Sequence, residues 1–298
     1  MLDICIFSYN RGAFLANCLA SIQQYAPQCS VRVFDDNSDD PNTRDVLASL
    51  PEGVELYQPS TGGKTRHGDL YANMQWALTQ SRPGAILLFI QDDMQLVRPL
   101  RDEDYQYIQE FYERFRQAAF LNPVFLKGQR RRRDQRITSV DPDFPVYFRH
   151  YPEKKHPRGI SYADVVIAHA DRLRAVNWQF SGGEIQNALQ AQQHFGKMGF
   201  MLNPFVMFLP QVPVYRGKQK STAVSWAERL SGQAPKAFQP MDTSSLDALL
   251  TRAPEVLPIA EDFLTCQDSG VKTPFQYSAV NAYPLLRALH KVEQWLGR

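Results

Sequence analysis

Cysteine is scarce in this sequence: Cys5, Cys18, Cys29 and Cys266 are the whole complement, and no two are spaced as CxxC. They read as small, mostly buried thiols in a reducing compartment. Histidine is scarce too, six residues scattered without the spacing of a metal-ligand set. No apolar run is long enough to span a bilayer. Met1 is followed almost at once by Asp3 and an alternating stretch, so no secretory leader is expected and a bacterial cytoplasm is the expected compartment. Charge of one sign is lacking as well. A formal net charge of +2 creates no whole-protein field that would select a partner. Internal repeats and low-complexity tracts are absent from the sequence.

What is present is an ordinary globular composition, 44% apolar over 298 residues, enough for one large α/β domain or a domain with an appendage. Residues 2–7 read as a buried strand, followed by a polar turn, Ser8-Tyr9-Asn10-Arg11-Gly12. Phe14, Leu15, Cys18, Leu19 and Ile22 recur at helical spacing. Strands are expected at 31–34, 54–57, 85–90, 124–126, 162–168, 206–209 and 212–215. Helices are expected at 43–50, 68–79, 104–119 and 185–194, with a last one at 279–296. The β-α-β-α alternation predicts a mostly parallel sheet covered by helices. Residues 127–158 are basic, contain proline and lack periodicity, so they read as an irregular excursion. After Gly217 the composition shifts to Ser, Pro and short amphipathic segments, which sets a boundary between 1–216 and a helical extension, 217–298.

Two acidic clusters each close a short apolar strand: Val33-Phe34-Asp35-Asp36-Asn37-Ser38 and Phe89-Ile90-Gln91-Asp92-Asp93-Met94. In an open α/β sheet, ligands bind outside the carboxyl ends of strands. Two carboxylate clusters delivered there suit a polar ligand and a divalent cation. Either alone is weak, since Asp and Asn are ordinary turn residues.

Three motifs, in order, give a resemblance to family-2 glycosyltransferases of the GT-A fold over about residues 2–216. Ile4-Cys5-Ile6-Phe7-Ser8-Tyr9-Asn10-Arg11 resembles the opening strand and its S/T-Y-N turn. Val33-Phe34-Asp35-Asp36-Asn37-Ser38-Asp39-Asp40 resembles the DDxS motif, and Phe89-Ile90-Gln91-Asp92-Asp93-Met94 the acidic metal motif. The spore-coat polysaccharide enzymes of the family carry similar SYN, DDNS and paired-Asp sequences. The resemblance implies a Rossmann-like sheet sandwiched by helices, a UDP- or TDP-linked sugar donor, inversion at the anomeric carbon, and Mn²⁺ or Mg²⁺. It implies a nucleotide site at Phe7, Tyr9, Arg11 and Asp36, with Lys64 and Arg66 over the diphosphate. Asp36 would accept the pyrimidine N3–H, and Tyr9 would stack on the base. Asp93 would hold the cation, which neutralises the leaving diphosphate, with Asp92 beside it contacting sugar or water.

An inverting transferase must also take a proton from the acceptor hydroxyl. Phe180-Ser181-Gly182-Gly183-Glu184-Ile185 is similar to the G-G-E-D segment that opens the family's acceptor-side helix. Glu184 is therefore the expected base, with Asp164 and Asp171 as outsiders. Two departures stand out: Ile185 replaces the Asp of many relatives, and Pro213-Val214-Tyr215-Arg216-Gly217-Lys218 lacks their late His. Arg216, Lys218 or Lys220 would then meet the diphosphate. His169, beside an apolar strand, reads as structural.

The run Arg130-Arg131-Arg132-Arg133 reads as a solvated loop or as an anion-binding lid. No RNA- or DNA-binding motif accompanies it, so nucleic acid is not an expected partner. Leu285, Leu286, Leu289, Val292 and Leu296 form a C-terminal stripe that reads first as a packing face. Trp295 with Arg287, Lys291 and Arg298 keeps peripheral membrane contact, on the inner face, as the alternative. The expected activity is sugar transfer from a nucleotide-sugar to a glycan, lipid-linked or other hydroxyl acceptor in cell-surface glycan assembly. The rival from another class is a non-catalytic nucleotide- or glycan-binding scaffold. A nucleotidyltransferase would want a Gly-rich, Lys-bearing loop after the first strand, which Ser8-Tyr9-Asn10-Arg11-Gly12 does not provide.

Overall fold

A strand with helices on both faces of its sheet must be apolar at every position, because alternate side chains enter opposite cores. β1 (Leu2–Ser8) comes close to that condition: all seven residues are buried, and two of them, Asp3 and Ser8, are polar. The computed structural model describes residues 2–59, 70–150, 157–214 and 220–296. β1 feeds α1 (Gly12–Tyr25), and β2 (Ser30–Asp35) feeds α2 (Pro41–Ala48). β3 (Val54–Tyr57) and α3 (Leu70–Gln80) precede β4 (Ile86–Gln91) and the short β5 (Met94–Leu96). α4 (Asp102–Arg114) leads to β6 (Phe120–Asn122); α5 (Arg131–Ile137) leads to β7 (Thr138–Val140) and β8 (Val146–Arg149). Next come β9 (Val166–His169), α6 (Ala170–Ala175), α7 (Glu184–Phe195), β10 (Gly199–Met201) and β11 (Val206–Phe208). The C-terminal segment holds α8 (Thr222–Ser231), α9 (Thr243–Thr251), α10 (Ala260–Phe263), α11 (Ala279–Ala282) and α12 (Pro284–Leu296).

Among the described residues, nine strands form one mixed sheet in the order β3-β2-β1-β4-β9-β6-β10-β8-β7, and β5 pairs with β11 in a two-stranded sheet. β3, β2, β1 and β4 are mutually parallel, and β9 runs against β4. This is the α/β class expected from the sequence. Ile4 and Ile6 of β1 face the core that α1 covers, while Cys5 and Phe7 face the one that α3 covers. Because β2 lies on one side of β1 and β4 on the other, the chain reverses direction across β1. The crevice of such a sheet opens there, at the carboxyl ends of the strands. No described helix is long and apolar enough to cross a membrane.

Several elements differ from the sequence reading. The helix expected at 104–119 ends at Arg114, because Ala119 must run extended to accept the His169 amide beside β9. The strand expected at 124–126 is replaced by β6 just before it. Pro123 ends the ladder, lacking an N–H, and Val124 and Leu126 keep single bridges to Val206 and Ile259. Residues 127–150 are regular: a 3-10 turn, α5 and the β7–β8 hairpin join the large sheet. The helix at Arg131–Ile137 has an anchor that four arginines in a row conceal. Asp134 is buried under it, 3.2 Å from Arg149 of β8. The strand expected at 162–168 begins only at Val166. The last helix is split, since Pro284 cannot continue α11 but can open α12.

The loop between β5 and α4 is fixed by one buried cation. Arg98 is fully buried, and all five of its N–H groups are used: Nε to Pro204 O, Nη1 to Pro99 O and Asp104, and Nη2 to Asp104 and Asn203 O. Asp104 also accepts the Arg101 amide, capping α4. Arg98→Met should therefore cost about 3–5 kcal/mol, because Asp104 is left as an uncompensated buried charge. Arg98→Met/Asp104→Leu should recover part of that loss in urea unfolding; equal midpoints for wild type and the single variant would remove this role.

Candidate functional site

The loops after β1, β2 and β4 are cross-linked at the crevice. Asn10 takes a left-handed conformation, φ 52°, which Asn tolerates. From there its Oδ1 accepts the Asp39 and Asp40 amides, and its own amide donates to Ser38 Oγ. Asn37, at φ 54°, makes the matching turn after β2. Asp35 is buried and accepts from Ser38 N, Ser38 Oγ and Gln58 Nε2, so it organises the turn. Asp36 is half-buried, and its amide continues the β1–β2 ladder to Ser8 O. Asp92 N likewise donates to Phe7 O, which brings the acidic turn after β4 alongside β1.

At that junction Asp92 and Asp93 are both fully buried. Two adjacent carboxylates in such a place need a cation, and Arg11 supplies it. Its Nη2 lies 2.5 Å from Asp92 Oδ1 and its Nη1 2.8 Å from Asp93 Oδ2. The Tyr9 amide donates to Asp92 Oδ2 at 3.3 Å. Tyr277 Oη donates to Asp93 Oδ2 at 2.5 Å. Burial pushes the Asp92 carboxyl up, against the pull of Arg11. Burial opposes the Arg11 charge as well, but Asp92 and Asp93 together hold the guanidinium above its ordinary value. Tyr277 arrives from the C-terminal segment, where the amides of Gln211 and Val212 bond to Gln276 O and Tyr277 O.

Lys127 is a further cation at this place. Its Nζ lies 4.0 Å from the Phe208 ring centroid and 5.3 Å from that of Tyr277. Burial lowers its ammonium to about 8, and Arg130 acts the same way, while Asp93, Glu261 and Glu184 pull it back up. Gly128 follows it under Glu261, whose Oε2 accepts the glycine amide at 2.7 Å. A Cβ there would lie 2.6 Å from that oxygen, so any larger residue would displace the Glu261 carboxylate.

A carboxylate cluster lies at the same end of the sheet. Val166 pairs with Phe89, and Asp164 is two residues before it, at the end of β4 that carries Asp92. Asp164 accepts from Tyr71 Oη at 3.1 and 3.2 Å. Burial, and after it the charge of Glu184, push its carboxyl up to about 7. Hydrogen bonds from Tyr71 and Tyr162 and the charge of Arg158 oppose this. Glu184 is the first residue of α7, half-buried, with Oε2 3.6 Å from Arg158 Nε.

Of the residues singled out in the sequence, Tyr9, Arg11, Asp36, Asp92 and Asp93 therefore gather around one crevice. Phe7 lies beneath it, its ring 5.7 Å from those of Phe34 and Phe89 in the core. Lys64 and Arg66 lie outside the described residues, as do Arg216 and Lys218. Lys220 pairs with Glu228 at 2.7 Å, and Asp171 with Arg174 at 2.7 Å. Two residues of the site were not foreseen, Lys127 and Tyr277. Lys127 had one signal, its position directly after an apolar extended run. Tyr277 had none.

Among the described residues no group of three or more His, Cys, Asp or Glu could hold a metal. Asp93 Oδ1 is nonetheless buried without a hydrogen-bond partner. One carboxylate oxygen is a sufficient protein contribution for Mg²⁺ or Mn²⁺ when phosphates and waters supply the rest. The residues fit such an ion on those terms.

No protein-family model matches the sequence, and no curated protein matches it significantly. Distant likenesses to solved structures exist. Residues 1–349 of S. aureus TarS superpose with a TM-score of 0.44 at 12% identity, over 70% of this chain and 60% of that one. The longer S. aureus TarS structure gives 0.47 at 12% identity, over 84% and 42%. Glucosyl-3-phosphoglycerate synthase from Mycobacterium tuberculosis, in complex with Mn²⁺ and UDP-glucose, gives 0.41 at 14% identity, over 80% and 84%. The chain thus spans 60% and 42% of the two TarS structures.

Removing the cation between Asp92 and Asp93 should show a pH signature. Without Arg11, burial holds the Asp92 carboxyl above its unfolded value with nothing to oppose it, so its contribution persists at low pH and is lost as pH rises. Arg11→Ala should cost roughly 3–5 kcal/mol at pH 8 and clearly less at pH 5. Urea titrations at the two pH values check this; a pH-independent loss would contradict the ion-pair account.

Proposed function

We propose that this chain is a glycosyltransferase of the GT-A type that uses a nucleoside-diphosphate sugar, with inversion, on a hydroxyl acceptor. The observation that supports it best is the convergence of Asp36, Tyr9 and the buried Asp92–Asp93 pair at the crevice where the chain reverses across β1. Asp36 accepts the N3–H of a uracil or thymine ring, and Tyr9 supplies a stacking face. The diphosphate extends towards Arg11 and Lys127, whose charges offset the negative charge that grows on the leaving group. A Mn²⁺ or Mg²⁺ ion would be held by Asp93 together with donor oxygens, and when bound it supplies Lewis-acid neutralisation of the diphosphate.

The acceptor oxygen attacks the anomeric carbon from the face opposite the diphosphate. The carbon–oxygen bond to phosphate breaks with its electron pair going to the phosphate oxygen, and the acceptor proton passes to a carboxylate. Asp164 is our choice for that carboxylate, ahead of Glu184. A base works best with a pKa near the operating pH, and partial burial, with the charge of Glu184 after it, raises half-buried Asp164 to about 7. Glu184, anchored by Arg158 at the start of α7, then contacts acceptor hydroxyls. Synthesis of a cell-surface glycan from the cytoplasmic side is the setting that suits this chemistry, with 1–216 as the transferase unit and 217–298 as its extension.

A non-catalytic scaffold is the second reading. One observation favours it: Arg11 already neutralises the acidic pair. It predicts nucleotide binding without transfer.

Titration calorimetry with UDP and TDP, with and without Mn²⁺, tests the donor site. Asp36→Ala should weaken binding by about 1–3 kcal/mol, the loss of a hydrogen bond to a charged group. Unchanged affinity would remove Asp36 from the site.

The base is tested by pH. Transfer should rise through a limb near pH 7, where Asp164 ionises. Because its folded value is raised, the stability Asp164 contributes is full below its ordinary carboxyl range and is lost as pH rises through about 7. Asp164→Asn should cut transfer by about 10²–10⁴-fold and leave UDP affinity unchanged. If Glu184→Gln abolishes transfer and Asp164→Asn does not, the assignment reverses; nucleotide binding with no transfer to any acceptor would favour the scaffold.

A further inference from the structure

The C-terminal stripe that the sequence suggested as a packing face is not one. Leu285 is 86% exposed, Trp295 77% and Leu296 70%, with Leu289 and Val292 also exposed. Among the described residues, more than half of the large exposed apolar side chains lie on α12 and on α8, which packs against it and exposes Trp226 and Leu230. Residues 285, 289, 292 and 296 recur at spacings of four, three and four, which places them along one face of α12. Leu286 turns the other way, into a small core with Ala223, Val224, Ala227, Ala279 and Val280.

The orientation of α12 is fixed from that inner side. His290 Nδ1 pairs with Ser221 Oγ at 2.8 Å. The Glu293 carboxylate accepts the Thr222 and Ala223 amides at 3.0 and 3.2 Å, capping α8. Glu293 is the one acid in α12, and it is consumed there. On α8 the one acid, Glu228, is buried and accepts from Val214 N and Lys220 Nζ. Both helices therefore spend their one carboxylate on hydrogen bonds, Glu228 buried and Glu293 half-buried. What faces outward is apolar, bordered by Arg287 and Lys291 on α12 and by Arg229 on α8, all three exposed. Trp295 stands between the leucine stripe and Lys291 around the helix, and Arg287, four residues before Lys291, lies further round on the same side.

We propose that this face docks on an anionic lipid bilayer, with α12 lying in the interfacial plane. An apolar stripe with tryptophan and a cationic border, free of outward acids, is complementary to such a surface. Leucines and Trp295 enter the headgroup–acyl boundary while Arg287 and Lys291 reach the lipid phosphates. A second copy of the chain fits less well. Two-fold pairing of this face would bring like cations together with no outward carboxylate on either helix to meet them. The inference is independent of the donor site, because it uses none of its residues.

Flotation of the full chain with vesicles decides it. The protein should bind phosphatidylcholine vesicles doped with phosphatidylglycerol, and bind pure phosphatidylcholine far less. Leu285→Asp/Trp295→Asp should lower binding by about tenfold or more, with thermal unfolding unchanged. Arg287→Glu/Lys291→Glu should remove the preference for the anionic lipid. Three results would each overturn the proposal: no binding of wild type to the doped vesicles, equal binding by the Leu285→Asp/Trp295→Asp variant, or wild-type self-association in sedimentation equilibrium that the same variant abolishes, which would assign the face to a second copy.

Discussion

The placement of the Arg11 guanidinium between Asp92 and Asp93 is the interaction on which the crevice depends. Two consecutive carboxylates, both fully buried, stand at the end of β4, where their mutual repulsion and lost hydration would unfold the turn without a counter-charge. Arg11 comes from the loop after β1, and Tyr277 comes from the far end of the chain to the same carboxylate. The pair thus ties three remote stretches of sequence to one point. The geometry explains why the β1 loop carries an arginine just before α1. It also explains why the C-terminal segment bonds to the strand-like run at 211–212.

Much of this was legible in the sequence, for a definite reason. Strands buried on both faces leave a continuous apolar run, and the polar cluster that ends such a run marks the edge of the sheet. Residues 30–36 and 86–93 show this pattern, which placed Asp36, Asp92 and Asp93 at the edge of the sheet, while Tyr9 and Arg11 came from the family resemblance of residues 4–11. Illegible parts involve long-range partners. Asp134 under Arg149 makes a helix of an arginine run. Tyr277 and Lys127 reach Asp93's surroundings through tertiary contacts that no local spacing reveals. The stripe on α12 was seen, but its direction was not, because amphipathicity says that one face is apolar and not what covers it. Leu286 in the small core, His290 on Ser221 and Glu293 on the first amides of α8 show which face turns inward.

The charges of the crevice are arranged with separate tasks. Arg11 bridges the acidic pair. Lys127 is held over two aromatic rings with a weakened charge of its own, and an incoming diphosphate would restore that charge. Burial first, and the charge of Glu184 after it, raise the Asp164 carboxyl to about 7. On the proposed function, this arrangement would set a cationic side for a leaving anion and an acidic side for a departing proton at one sheet edge.

The most direct test is a crystal structure of the protein with UDP bound. The account predicts uracil at Asp36 and Tyr9, and the diphosphate directed towards Arg11, Lys127 and Asp93. Nucleotide bound elsewhere, for example in the open groove lined by Arg116, His150 and Lys197, with the crevice at β1 unaltered, would contradict it.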